Sequence, residues 1–122
     1  MRVALTHNLK RSTDEAEAEY DTPETVQALC RAIAAAGHEA IPVEVNGSVE
    51  AWLPRLRAAR ADVVLNTAEG AHGPGRTALF PGVFESLRLK YTGSDARSQL
   101  ITQDKHLTKL CVAAAGVPVC PG

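Results

Sequence analysis

The chain has 122 residues, 45% hydrophobic and 22% charged, with a formal net charge of -1. That length suits one domain with its own core. The near-neutral charge and 4% aromatic content exclude a basic nucleic-acid face and a base-stacking platform. No segment approaches the ~20 apolar residues of a membrane span, and Met1 to Asn8 has no apolar run of signal-peptide length. Cys30, Cys111 and Cys120 are an odd, widely spaced set. They fit neither a disulfide framework nor a zinc site, so three reduced thiols are expected, and with them the cytoplasm.

Val3 to Thr6 is a short apolar run that predicts a buried first strand. Lys10 to Asp21 follows, with five acidic residues among its last eight, and predicts a solvated, mobile loop. Thr22, Pro23 and Glu24 are a helix start, and Val26, Leu29, Cys30 and Ile33 fall on one face up to Ala36. Gly37 closes that helix. Ile41, Val43 and Val45 alternate in a second strand, which Pro42 assigns to an edge. Ser48 is a cap for a helix to Arg60 with Trp52, Leu53 and Leu56 inward, and Pro54 is expected to kink it or delay its start.

Asp62 to Asn66 reads as a buried third strand, and Thr67 to Arg76 as a glycine-rich loop. A helix is expected from Thr77 to Leu87, with Leu79, Phe80, Val83, Phe84 and Leu87 inward, then a fourth strand from Leu89 to Thr92. Ser94 or Asp95 caps the next helix, and Asp104 restarts one whose inner face is Leu107, Leu110 and Cys111. Gly116 ends it, and Val117-Pro118-Val119 leaves extended. Strands alternating with helices imply right-handed βαβ units, hence an α/β, three-layer Rossmann-like domain with a mostly parallel sheet of about four strands. Ligands in such sheets sit beyond the carboxyl ends of the strands.

Three groups of residues lie at or near those ends. The loop Glu69-Gly70-Ala71-His72-Gly73-Pro74-Gly75-Arg76 allows close backbone approach to an anion, but it is neither a Walker A loop nor a dinucleotide fingerprint. Lys105 and Lys109 share one helix face, which is a phosphate-binding pair if it faces a cleft and a solvated face otherwise. The acidic loop lacks the glycine turn and distal glutamate of an EF-hand, so no metal site is expected there. No Ser-His-Asp or Cys-His set stands out.

The ordered set Asp62-Val63-Val64-Leu65-Asn66, Glu69-Gly70-x-x-Gly73, Tyr91-Thr92-Gly93-Ser94, Asp104-Lys105-x-x-Thr108-Lys109 and Ala114-Ala115-Gly116-Val117-Pro118 resembles the N-terminal domain of the D-alanine–D-alanine ligase family, within the ATP-grasp superfamily. Gly37 to Val43 fits the same pattern. The resemblance covers about the whole chain. It implies a domain that precedes two ATP-grasp subdomains absent here, in an ATP-dependent carboxylate–amine ligase working through an acyl phosphate, with ATP and Mg2+ as cofactors. Lys105 matches the lysine that contacts the nucleotide phosphates. Glu69, Gly70, Arg76 and either Glu17 or Glu19 are expected on the substrate side, facing an amino acid or another carboxylate or amine. The 122-residue fragment, with no catalytic residue of its own, is expected to be inactive.

Four departures from the family pattern bear on the substrate. Thr6-His7-Asn8 stands where the family has a glycine pair, Ala18-Glu19-Tyr20-Asp21-Thr22 where it has a Ser-x-Glu-x-x-Val/Ile-Ser stretch, Glu69-Gly70 where it has His-Gly, and Gly73-Pro74-Gly75-Arg76 where it has Gly-Glu-Asp-Gly. Exchanging a histidine donor for a glutamate acceptor favours a ligand that presents a cation or hydroxyls. The alternative is a stand-alone, non-catalytic binding or dimerisation module, paired through a helix near Thr77 to Leu87 or Arg97 to Leu107.

Overall fold

A computed structural model describes residues 1–121. Three strands form one parallel sheet: β1 (Arg2–His7), β2 (Glu39–Glu44) and β3 (Val63–Asn66), in the order β2-β1-β3. The central strand is the most apolar one, and Val3 to His7 are all buried. Ala4 pairs with Ile41 on one side and Val64 on the other, so these three side chains share a face.

Helix α1 (Pro23–Ala35) connects β1 to β2. Thr22 caps it, its Oγ1 accepting the Thr25 N–H at 3.2 Å. Val26 is buried, while Leu29, Cys30 and Ile33 are half-buried. The Ala4 face is covered instead by α2 (Val49–Ala58) and α3 (Leu79–Ser86). Its core joins Val43, Val45, Trp52, Leu56, Val64, Phe80 and Phe84. Trp52 and Phe80 have ring centroids 5.3 Å apart, inclined at 41°, within the tilted geometry that aromatic quadrupoles favour.

Several expectations are corrected. Pro54 lies inside α2 and does not delay its start at Val49, and Ser48 precedes that helix without a side-chain cap bond. The helix expected from Thr77 begins as a 3-10 turn over Arg76–Ala78 and becomes α-helical at Leu79, whose side is exposed. The fourth strand is reduced to one bridge, Val64 to Tyr91. Between Arg88 (φ 55) and Gly93 (φ 98) the extended stretch is too short for a ladder. It still makes two backbone bonds to Val64, from Val64 N to Lys90 O and from Thr92 N to Val64 O.

Asp95, rather than Ser94, caps α4 (Ala96–Gln103) by accepting the Ser98 N–H at 2.7 Å. Asp104 caps α5 (Lys105–Ala114) by accepting the Leu107 N–H at 2.9 Å. The expected inner face of α5 is not buried: Leu107 is 40% and Leu110 55% exposed, and Cys111 is exposed too. The acidic loop is solvated but organised. A bridge from Leu9 to Asp21 closes its base, and Glu15–Glu17 form a 3-10 turn. No helix among the described residues is long and apolar enough to cross a membrane.

Candidate functional site

The strand order puts a crevice where ligands of parallel α/β sheets gather. β1 is followed by a connection to β2 on one side, while β3 lies on its other side. The loops after β1 and β3 therefore diverge and leave a gap above the strand ends. There the structure has a cleft of about 380 Å³, lined by Glu15, Glu19 and Tyr20 of the first loop and by Glu69, Gly70 and Arg76 of the second.

Polar residues at the sheet end tie the two loops together. Thr6 Oγ1 donates to Asn66 Oδ1 at 2.8 Å, joining β1 to β3. The buried Asn8 accepts the Glu69 N–H at 2.7 Å through Oδ1. Thr67 Oγ1 donates to Asp21 Oδ2 at 2.6 Å. His7 is buried, with Nδ1 3.1 Å from Leu5 O. Thr6-His7-Asn8 is thus part of the loops' footing. The second loop folds on itself as Gly70 N–H donates to Arg76 O at 3.0 Å. A Cβ at Gly70 would run into Arg76 O, so glycine is required there.

Inside the cleft Arg76 Nη1 lies 3.4 Å from both Glu19 Oε2 and Glu69 Oε2. Burial pushes the Glu69 carboxyl up, and the neighbouring Glu19 carboxylate adds to the rise against the opposing pull of Arg76. Glu19 is held low by its hydrogen bond with Glu69 and then by Arg76. The two carboxyls are thus pushed in opposite directions. Glu69 Oε2 is buried without a hydrogen-bond partner, even though the side chain as a whole is 39% exposed. With Glu15 counted, the cleft carries an excess of acidic groups over Arg76, which favours an ammonium group.

The sequence-derived site residues separate in space. Glu19, Glu69, Gly70 and Arg76 come together. Glu17 does not join them: its Oε2 accepts the N–H groups of Arg11 and Ser12, both at 2.7 Å, and these bonds hold its carboxyl low. Lys105, the first residue of α5, is exposed and does not line the cleft. Asp104 just before it shares a shallow hollow with Pro74 of the glycine loop and Gln103. Lys109 is drawn toward the chain end, its Nζ 3.4 Å from Pro121 O. Tyr20 and Glu15 escaped the sequence reading. Glu15 was one acidic residue among many, and Tyr20 had no distinguishing pattern.

The fold defines a class: an α/β domain with a parallel sheet, of the kind found in D-alanine–D-alanine ligase from Aeromonas hydrophila. That crystal structure matches 99% of this chain and 43% of its own, with a TM-score of 0.65 at 20% identity. No family model matches. In sequence, the D-alanine–D-alanine ligase of Gluconobacter oxydans is 37% identical over 97 residues, 79% of this chain and 31% of that relative. The ligase of Moorella thermoacetica is 37% identical over 91 residues, 75% of this chain and 28% of that relative. The ligase of Coprothermobacter proteolyticus is 30% identical over 107 residues, 88% of this chain and 33% of that relative. The chain is a relative of the D-alanine–D-alanine ligases, and it spans about a third of their length.

Proposed function

We propose that this chain is the N-terminal, substrate-facing domain of an ATP-dependent carboxylate–amine ligase. The observation that carries the reading is the Glu19–Arg76–Glu69 cleft in the crevice between β1 and β3. Such a cleft suits an amino-acid zwitterion. The glutamate pair receives the ammonium group and Arg76 the carboxylate, each in place of part of the present ion pairing. In the parent enzyme the substrate carboxylate would take the terminal phosphoryl group of ATP. The amine of a second substrate would then displace phosphate from the acyl carbon. Positioning one substrate is the share of this domain.

Lys105 is proposed to approach the nucleotide phosphates as a point charge at the start of α5. Magnesium, in this reading, is held by the ATP-grasp subdomains. Among the described residues no group of three His, Cys, Asp or Glu side chains is placed to hold a metal ion. Without those subdomains the 122-residue chain is expected to bind ATP weakly and to have no ligase activity. Calorimetric titration of ATP with and without magnesium is the test: tight, magnesium-dependent binding by this chain alone would sink the reading.

One observation favours a second reading, a binding or dimerisation module. It is the exposed apolar side of α5, with Leu107 and Leu110 facing outward. The same side would also suit contact with the rest of a ligase. Sedimentation of the chain at high concentration separates the two.

A further inference from the structure

Glu69 is a wall of two hollows, not one. Beside the charged cleft lies a smaller pocket of about 170 Å³, lined by Asn66, Thr67, Ala68, Glu69, Thr77 and Gln99. Its volume is well above the ~10–15 Å³ that one water requires. Apart from Glu69 its side chains are neutral, and they come from the end of β3, the loop after it, the 3-10 turn before α3, and α4.

The hydrogen bonds already made there leave a definite remainder. Asn66 Oδ1 is taken by Thr6, and Asn66 Nδ2 donates to Ala68 O at 3.1 Å, so one amide hydrogen is left. Thr67 gives its single hydrogen to Asp21, which leaves the hydroxyl oxygen able to accept. Thr77 Oγ1 is 3.5 Å from Gln99 O, a bond at the limit of reach. Gln99 is half-buried, and no side-chain hydrogen bond among the described residues uses its carboxamide. The pocket thus offers both donors and acceptors and no cation. An anion would meet Glu69 unscreened. An apolar group would strand the Gln99 amide away from water.

We infer that this pocket is a second subsite, which takes a neutral hydroxyl or carboxamide substituent of a ligand whose ammonium group lies at Glu19 and Glu69. The inference rests on the cleft being the substrate site. Gln99 and Thr77 are then the residues that set specificity, and neither belongs to the charged triad. Amide-shift NMR titrations of the 122-residue chain with alanine, serine and asparagine, each in both hands, provide the test. Serine or asparagine of the bound hand is expected to bind about 5- to 10-fold more tightly than alanine, the worth of one or two neutral hydrogen bonds. Gln99→Leu should abolish that advantage and leave alanine binding unchanged, and Thr77→Val should reduce it. Equal affinities for alanine, serine and asparagine, or a loss in Gln99→Leu shared by all three, overturns the subsite while the cleft stands. Absence of binding by all three to the folded chain overturns the cleft as an ammonium site, and the inference falls with it.

Discussion

Tyr91 donates its phenolic hydrogen to Glu85 Oε1 at 2.7 Å, and the same oxygen accepts the Ala96 N–H at 3.0 Å. One carboxylate thus anchors both the stretch beside β3 and the start of α4. The hydrogen bond from Tyr91 to Glu85, more than burial, raises the phenol to about 12. A raised folded-state value means that the stability this bond contributes is complete below the ordinary tyrosine range near 10. It is lost as pH climbs through about 12. The chain has two tyrosines, Tyr20 and Tyr91. Ultraviolet titration should show Tyr91 ionising well above the ordinary tyrosine range, and Glu85→Gln should bring it down. If Tyr91 ionises in the ordinary range in the parent chain, the Glu85 bond does not persist in solution. Gly70→Ala forces a Cβ onto Arg76 O. It should cost about 1–3 kcal/mol by chemical denaturation and pull Arg76 away from Glu19. An unchanged midpoint would refute the close approach.

The triad shows what single residues reveal in a sequence. The place of Glu69, Gly70 and Arg76 at the end of the sheet is legible, because the loop that carries them follows a buried strand. The choice between Glu17 and Glu19 is not. Alternate glutamates along an acidic stretch carry no burial signal, and only the local 3-10 turn decides which carboxylate turns inward to Arg11 and Ser12.

At the scale of elements, α5 is the informative case. Its amphipathic pattern predicts the helix, and Asp104 caps it as its position implies. What its apolar side packs against is a matter of tertiary partners, and no periodicity encodes those. Held by its cap and by contact with α4, α5 should open locally more readily than β1. Asp104→Ala is expected to remove about 1 kcal/mol of cap stabilisation. That corresponds to about fivefold faster amide exchange across α5, with β1 unaffected. Uniform acceleration across the sheet would show instead that α5 opens only with the whole domain. The missing fourth strand has a similar cause. Leu89 to Thr92 has strand composition, but the positive-φ residues on either side leave room for a single bridge.

At the scale of the whole molecule, Leu107, Leu110, Val117 and Val119 put exposed apolar surface near the chain end. Leu110→Glu touches no buried group, so the folding free energy should stay within about 0.5 kcal/mol of the parent. Any self-association seen by sedimentation should weaken in this variant. A parent chain that sediments as a monomer at high concentration counts against pairing through α5. A loss of stability on substitution would mean that Leu110 supports the domain itself.

Pro42 was read from the sequence as an edge marker, and β2 is indeed an outer strand. Glu39 N–H donates to Met1 O and Val45 N–H to His7 O, so the odd-numbered amides of β2 face β1. The even-numbered ones face outward, and at Pro42 that row has no hydrogen to offer. A foreign strand laid along this border would lose a rung in the middle of its ladder. The far border, beyond β3, is already occupied in part by Lys90 to Thr92. Both borders of the sheet are thereby made poorer templates for a further strand.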